Sequence, residues 1–204
     1  MDLRRRVAKE AARLLYTGAE EEYKQAKEEA ARSLGINTMP SNYEVAVELD
    51  FLAEEAEGQD RGRLIQRLRE DALRVMKALA DFGPRLVGSV WRGTARRGSD
   101  IDITVYASMP EEAVERLEEA GFEVEGAEEV AVTKQGRPRR SMHITVRLED
   151  GKEAEVVVRP QGERENIERC EIYGDPKQGL SLPELENLMR KDPLRRFIPR
   201  RRRM

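Results

Sequence analysis

The chain has 204 residues, with 37 basic and 40 acidic side chains, a formal net charge of −3, 39% hydrophobic residues and only 5% aromatic ones. No apolar run approaches membrane-spanning length, which argues against a helical membrane protein, and Cys170 is the only cysteine, which excludes an internal disulfide framework. Charged residues make up 38% but nearly cancel, so any contact with nucleic acid must be local, and the charges read as solvated helix faces and ion-pair networks around an aliphatic core.

The opening Met1-Asp2-Leu3-Arg4-Arg5-Arg6 leads into an amphipathic helix and not an apolar signal core; the expectation is a cytoplasmic protein with no membrane association. Val7, Ala11, Leu14 and Leu15 recur at helical spacing up to Gly18. A second helix runs through Tyr23, Ala26, Ala30 and Leu34 to Gly35. After Thr38-Met39-Pro40, Ser41 with Glu44 predicts a capping box for a third helix, which carries Val45, Leu49 and Leu52 and ends near Gly58. A fourth, from about Arg61 to Phe82, sets Leu64, Ile65, Leu68, Ala72, Val75, Met76 and Leu79 on one side.

The pattern changes at Gly83-Pro84. Arg85-Leu86-Val87 predicts a short strand, followed by a turn or short helix and a strand from Ile101 to Tyr106. Ser108, Pro110 and Glu111 predict a capped helix that stops at Gly121. Phe122 to Val124 and Val130 to Lys134 predict strands, and Gln135 to Arg140 a basic loop for which a bare surface role and phosphate contact weigh equally. Met142 to Leu148 alternates apolar and polar, turns at Glu149-Asp150-Gly151 and returns over Glu153 to Val158. A three-residue turn with a left-handed Gly151 pairs Leu148 with Lys152, Arg147 with Glu153 and Thr145 with Glu155; a two-residue turn would set Glu155 opposite Val146, on the apolar face. Beyond Pro160 the chain is polar and loop-rich to Gly179, and Ser181, Pro183 and Glu184 open a last helix. The tail from Arg195 to Arg203 is expected to be mobile, with solubility and RNA contact as equal readings. These boundaries divide the chain into a helical region 1–82, a core 83–160 and a C-terminal loop, helix and basic tail 161–204.

Chemistry concentrates between Leu86 and Ile103. Asp100 and Asp102 lie two apart, so both carboxylates share one face of a strand while Ile101 and Ile103 take the other. Neighbouring carboxylates repel unless a cation lies between them, and hard oxygen donors suit magnesium or manganese. Gly88-Ser89 ends the preceding strand in a turn whose N–H groups can face phosphate oxygens, with Arg92, Thr94, Arg96 and Ser99 as further donors. A third carboxylate is expected on a neighbouring strand; Glu155 fits, and Glu153, nearer the turn, competes with it. His143, the only histidine, faces the Glu155 side of the hairpin, where a structural role outweighs substrate contact. Trp91 reads as core packing ahead of base stacking.

Gly88-Ser89, a short spacer, Asp100-Ile101-Asp102 and a carboxylate on a later strand resemble the polymerase-β-like nucleotidyltransferase superfamily, above all its minimal, stand-alone members from archaea and bacteria. The resemblance covers about Arg85 to Pro160. It implies an α+β fold with a mixed sheet flanked by helices, here preceded by the N-terminal helical region. It also implies Asp100, Asp102 and Glu155 as catalytic metal ligands for Mg2+ or Mn2+, and a nucleoside triphosphate, with ATP the expected donor, held at Gly88 and Ser89 with Arg92, Thr94 and Ser99 nearby. The expected activity is transfer of a nucleotidyl group to a hydroxyl of an RNA end, a protein or a small molecule; the alternative is a nucleotide- or RNA-binding module without turnover. The third acid departs from the more frequent Asp by one methylene.

Overall fold

The structure, a computed structural model, describes residues 2–134 and 137–199. It divides into two compact units, one built on Met1–Arg61 with Arg169–Asp175, the other on Gly62–Glu168 with Pro176–Ile198.

In the first unit, α1 (Leu3–Thr17) and α2 (Tyr23–Leu34) precede the start of α3 (Asn42–Ala78). Small residues make their contact: Ala8, Ala11 and Ala12 of α1 and Ala26, Ala30 and Ala31 of α2 are buried in one cluster with Val7, Val45 and Leu49. The capping box forms, with the Glu44 N–H donating to Ser41 Oγ (3.3 Å) and the Ser41 N–H to Glu44 Oε2 (2.8 Å). Ion pairs knit the polar faces: Arg4 with Glu44 (2.9 Å), Arg5 with Glu48 (2.6 Å), and the buried Arg61 with Asp50 (2.6 Å) and Glu54 (2.9 Å). The span of α3 comprises two helices that meet at a kink at Gly58 (φ 52°, ψ −131°), where the third helix was expected to end.

The second unit holds a six-stranded sheet in the order β3-β4-β5-β2-β1-β6. Its strands are β1 (Arg85–Val87), β2 (Ile101–Ala107), β3 (Glu123–Lys134), β4 (Arg137–Arg147), β5 (Glu153–Pro160) and β6 (Leu180–Ser181). The β2–β5 pair is parallel and the others antiparallel, so the sheet is mixed. Its helices are the end of α3, α4 (Gly88–Arg92), α5 (Glu111–Glu119) and α6 (Leu182–Lys191). One core joins Leu68, Val75, Met76 and Leu79 of α3, Val90 and Trp91 of α4, Leu117 of α5 and Leu185 of α6 to Leu86, Ile101, Ile103, Val105, Ile144, Val146, Val156 and Val158 of the sheet. The sheet members of this core alternate along each strand, so they belong to one face. The α+β architecture, mixed sheet and helical N-terminus are those expected.

The β4–β5 turn has the three-residue geometry. The Leu148 N–H donates to the Lys152 carbonyl (2.7 Å), Gly151 has φ 69°, and the register pairs Thr145 with Glu155 and Arg147 with Glu153. Other details differ from expectation. β3 is a single strand whose register shifts between Val124 and Gly126, and Arg137–Arg140 belong to β4, leaving Gln135 and Gly136 outside the described residues. The strand expected at Val130 to Lys134 is part of β3; on the partner strand the run Arg137-Pro138-Arg139-Arg140 has no apolar alternation to mark it, and a Glu129–Arg140 pair at 3.4 Å joins the two. Ser108 does not cap α5; its hydroxyl donates to Gln161 Oε1 (3.0 Å), and the helix starts after Pro110 without a side-chain cap. β6 is two residues long and pairs with β1, too short for a periodic signal.

The tail is anchored over its first residues. The Phe197 N–H donates to the Arg92 carbonyl (2.9 Å). Arg69, wholly buried, donates to the carbonyls of Val90 (3.1 Å), Trp91 (2.9 Å), Pro193 (2.5 Å) and Arg195 (3.0 Å). Burial pulls its pKa down to about 10 against the supporting charge of Asp192. Arg200 to Arg203 lie outside the described residues. Among the described residues no helix is long and apolar enough to cross a membrane.

Candidate active site

Two strand pairings assemble the site. Antiparallel pairing of β1 with β2 sets Val87 opposite Asp102, and parallel pairing of β2 with β5 sets Asp102 level with Glu155. Ile101, Ile103, Ala154 and Val156 are buried on the core face, so Asp102 and Glu155 share the opposite one. Asp100, the residue before β2, is exposed, and Asp102 is half-buried.

The turn after β1 touches this pair directly. Gly88 has φ 67°, and a β-carbon added there would land on the Asp102 carboxylate. Both conformation and space therefore demand glycine. The Gly88-Ser89 turn and the Asp-x-Asp element are thus one contact in space.

The carboxylates feel one another. Desolvation raises the pKa of Asp102 to about 6; the Lys177 charge opposes this, and those of Glu155 and Asp100 add to it. Asp100 is raised as well, first by desolvation, then by Glu153 and Glu155, against Arg96. Glu155 is held from β4: it accepts from His143 Nδ1 (2.6 Å). A carboxylate can only accept, so Nδ1 carries the proton; on the other side of the ring Nε2 lies 3.1 Å from Ser141 Oγ, within hydrogen-bond distance. The single histidine of the chain thus orients the third acid.

The expected phosphate donors divide. Gly88 and Ser89 open α4 beside Asp102, and Thr94 is half-buried just beyond α4, its N–H donating to the Ser89 carbonyl (3.0 Å). Arg92 does not join them: it is buried, lies over the Trp91 ring (4.1 Å) and donates to the Phe197 carbonyl (2.8 Å). The Ser99 hydroxyl closes its own turn by accepting from the Arg96 N–H (3.0 Å). Trp91 is buried in the core cluster and packs against Phe197. Lys177, whose charge acts on Asp102, went unnoticed in the sequence because the stretch 161–179 has no periodicity to place it; the Lys177 backbone N–H donates to the Glu168 carbonyl (2.7 Å).

Asp102 and Glu155 on one face, with Asp100 just before the strand, are carboxylates whose oxygens suit a hard divalent cation, and the pKa values of Asp100 and Asp102 are raised by burial and by neighbouring charges. Their side chains are not drawn into a closed cluster: among the described residues no group of three or more His, Cys, Asp or Glu is placed to hold a metal ion. The chemistry of the set fits magnesium or manganese.

Residues 65–171 match the family described as "Nucleotidyltransferase domain", more than half of the chain, and the chain belongs to that family. Solved structures similar to it include a Cid1 poly(U) polymerase mutant bound to MgATP (16% identity, TM-score 0.35, covering 54% of this chain and 38% of that one). Cid1 with a UTP analog (18%, TM-score 0.34, covering 57% and 37%) and a cytoplasmic RNA terminal U-transferase (17%, TM-score 0.31, covering 57% and 34%) are also similar. The matched region thus spans little more than a third of the length of these structures. No curated protein matches the chain.

Proposed function

We propose that the protein is an active nucleotidyltransferase, moving a nucleotidyl group from a nucleoside triphosphate, with ATP the expected donor, to an acceptor hydroxyl on an RNA end, a protein or a small molecule. One juxtaposition carries this reading: Asp102 and Glu155 stand level on adjacent parallel strands, with Gly88 against the Asp102 carboxylate. Its catalytic core is 83–160, between a helical region 1–82 and a C-terminal part 161–204, and its setting is the cytoplasm.

Asp100, Asp102 and Glu155 would hold magnesium or manganese, which when bound lowers the pKa of the attacking hydroxyl and neutralises charge on the leaving pyrophosphate. The N–H groups opening at Gly88 and Ser89, with Thr94 beyond, receive the triphosphate. Gly88, with no side chain, lets the Asp102 carboxylate lie directly against this turn. Glu155, fixed by His143, helps take the proton of the acceptor hydroxyl. The acceptor oxygen bonds to the α-phosphorus, the bond to the bridging oxygen breaks, and pyrophosphate leaves in line.

The test is label transfer from nucleoside triphosphates, with magnesium or manganese, into total RNA or a cell lysate. Asp100→Asn and Asp102→Asn should each abolish it with an unchanged circular dichroism spectrum; labelling equal to wild type by both variants would falsify the assignment.

A further inference from the structure

A cleft opens on the same sheet face as the carboxylates and runs away from the Gly88 turn. Its floor is the next residues of the same rows: Val87 and Arg85 of β1, Thr104 and Tyr106 of β2, Arg159 of β5. The register sets these in levels, with Asp102 beside Val87 and Glu155, Thr104 beside Arg85 and Val157, and Tyr106 beside Arg159. Four residues of strand separate Asp102 from Tyr106, roughly 13 Å at strand rise, the span of about two nucleotides of extended chain. The walls come from the polar stretch after β5, with Arg164, Asn166 and Lys177. Four cations face two carboxylates in this lining, Glu165 and Glu168, so the cleft is net positive. Arg159 pairs with Glu168 (3.4 Å) and Arg85 donates to the Gln178 carbonyl (2.8 Å); each interaction uses part of a five-donor guanidinium.

We propose that this cleft receives the 3′ end of a single-stranded polynucleotide, which makes nucleic acid the acceptor class; the inference rests on the nucleotidyl-transfer reading above. In-line displacement places the attacking hydroxyl and the leaving pyrophosphate on opposite sides of the α-phosphorus. With the triphosphate at Gly88 and Ser89, the acceptor must come from the other side of Asp102 and Glu155, where the cleft lies. Its lining then matches what an acceptor strand presents. Arg85, Arg159 and Arg164 suit phosphodiester oxygens. The Tyr106 ring suits a base face, and the Asn166 amide a base edge. An acceptor protein hydroxyl needs no such row of cations. The same chemistry could instead serve phosphates of the incoming nucleotide, and the experiment separates the two.

A fluorescein-labelled single-stranded 12-nucleotide RNA with a free 3′-hydroxyl is titrated with the full chain, and a fluorescent ATP analogue with magnesium is titrated in parallel. Replacing Arg159 and Arg164 together by alanine should raise the RNA Kd at least about tenfold and flatten its salt dependence by roughly 0.7 in log–log slope per cation removed, with ATP-analogue affinity held within about twofold. The Arg159→Lys, Arg164→Lys chain, which keeps the charge, should recover most of the RNA affinity and controls for folding. The proposal is overturned if wild type does not bind the RNA, if the alanine variant binds it equally, or if the variant loses the ATP analogue instead. Label transfer into a lysate keeps the two readings apart. Transfer to a protein or small molecule without RNA binding sinks the cleft assignment alone. Cleft-dependent RNA binding without transfer to any acceptor sinks the enzymatic reading alone.

Discussion

Along β2 and β5 the two faces of the sheet obey opposite rules. Ile101, Ile103, Val105, Ala154, Val156 and Val158 are almost fully buried and draw α3, α4, α5 and α6 into one core. Asp102, Glu155 and Arg159 alternate with them and gather charge on the other face, where burial, with the charges of Glu155 and Asp100 adding to it, raises the pKa of Asp102. Apolar burial on the first face stabilises by about 25 cal/mol per Å²; on the second, partial burial of the Asp102 carboxylate costs stability. A slip of one residue would exchange them. The β4–β5 turn at Gly151 therefore sets which face Glu155 takes, since it keeps Glu155 across from Thr145 and out of the core.

Substitutions can break that division at either face. The largest effect is expected from Asp102→Asn, with loss of transfer by roughly 10³-fold, the upper end of what one charge-stabilising group supplies; steady-state label transfer measures it, and a loss under tenfold would remove Asp102 from the chemistry. On the core face, Ile103→Ala should cost about 2–5 kcal/mol, read from urea unfolding, with turnover per folded molecule unchanged. A drop in turnover with no loss of stability would show that the faces are not separable.

His143→Ala should lower transfer by about 10–100-fold, as for other residues that orient a metal-binding acid. His143→Asn, which can offer an amide N–H from near the position of Nδ1, should regain much of it; equal loss in both would rule out the hydrogen bond to Glu155 as the cause. The smallest effect is on stability against pH. Asp102 moves from 3.8 to about 6 on folding, so the folded state binds its proton more tightly than the unfolded chain. In metal-free buffer stability should thus fall as pH rises from about 4 to 6, by on the order of 1–2 kcal/mol. Asp102→Asn should remove this contribution and raise Tm at pH 7; a variant profile that runs parallel to wild type across the window would contradict the burial of that carboxylate.

Much of this arrangement was legible in the residues. The Asp-x-Asp spacing, the Gly88-Ser89 turn and the alternation from Met142 to Val158 are local patterns that fix which face each side chain takes. What was not legible depends on contacts between distant segments. Arg92 looked like a phosphate donor by proximity, but a carbonyl more than a hundred residues later claims its guanidinium. Lys177 lends its charge to Asp102 from a stretch without periodicity. Arg69 gave a faint hint, as a charge four residues from Ile65 and one from Leu68 on the apolar stripe, but nothing in the sequence names its acceptors.

Those acceptors make the run from Pro193 to Phe197 part of the foundation under Gly88. A chain cut back to Asp192 would take two of the four carbonyls from a guanidinium that solvent does not reach, stranding a cation beneath the helix whose first residue lies against Asp102. Anyone trimming or tagging this end should work beyond Ile198, because a deletion that looks cosmetic would loosen the ground beneath α4 from behind.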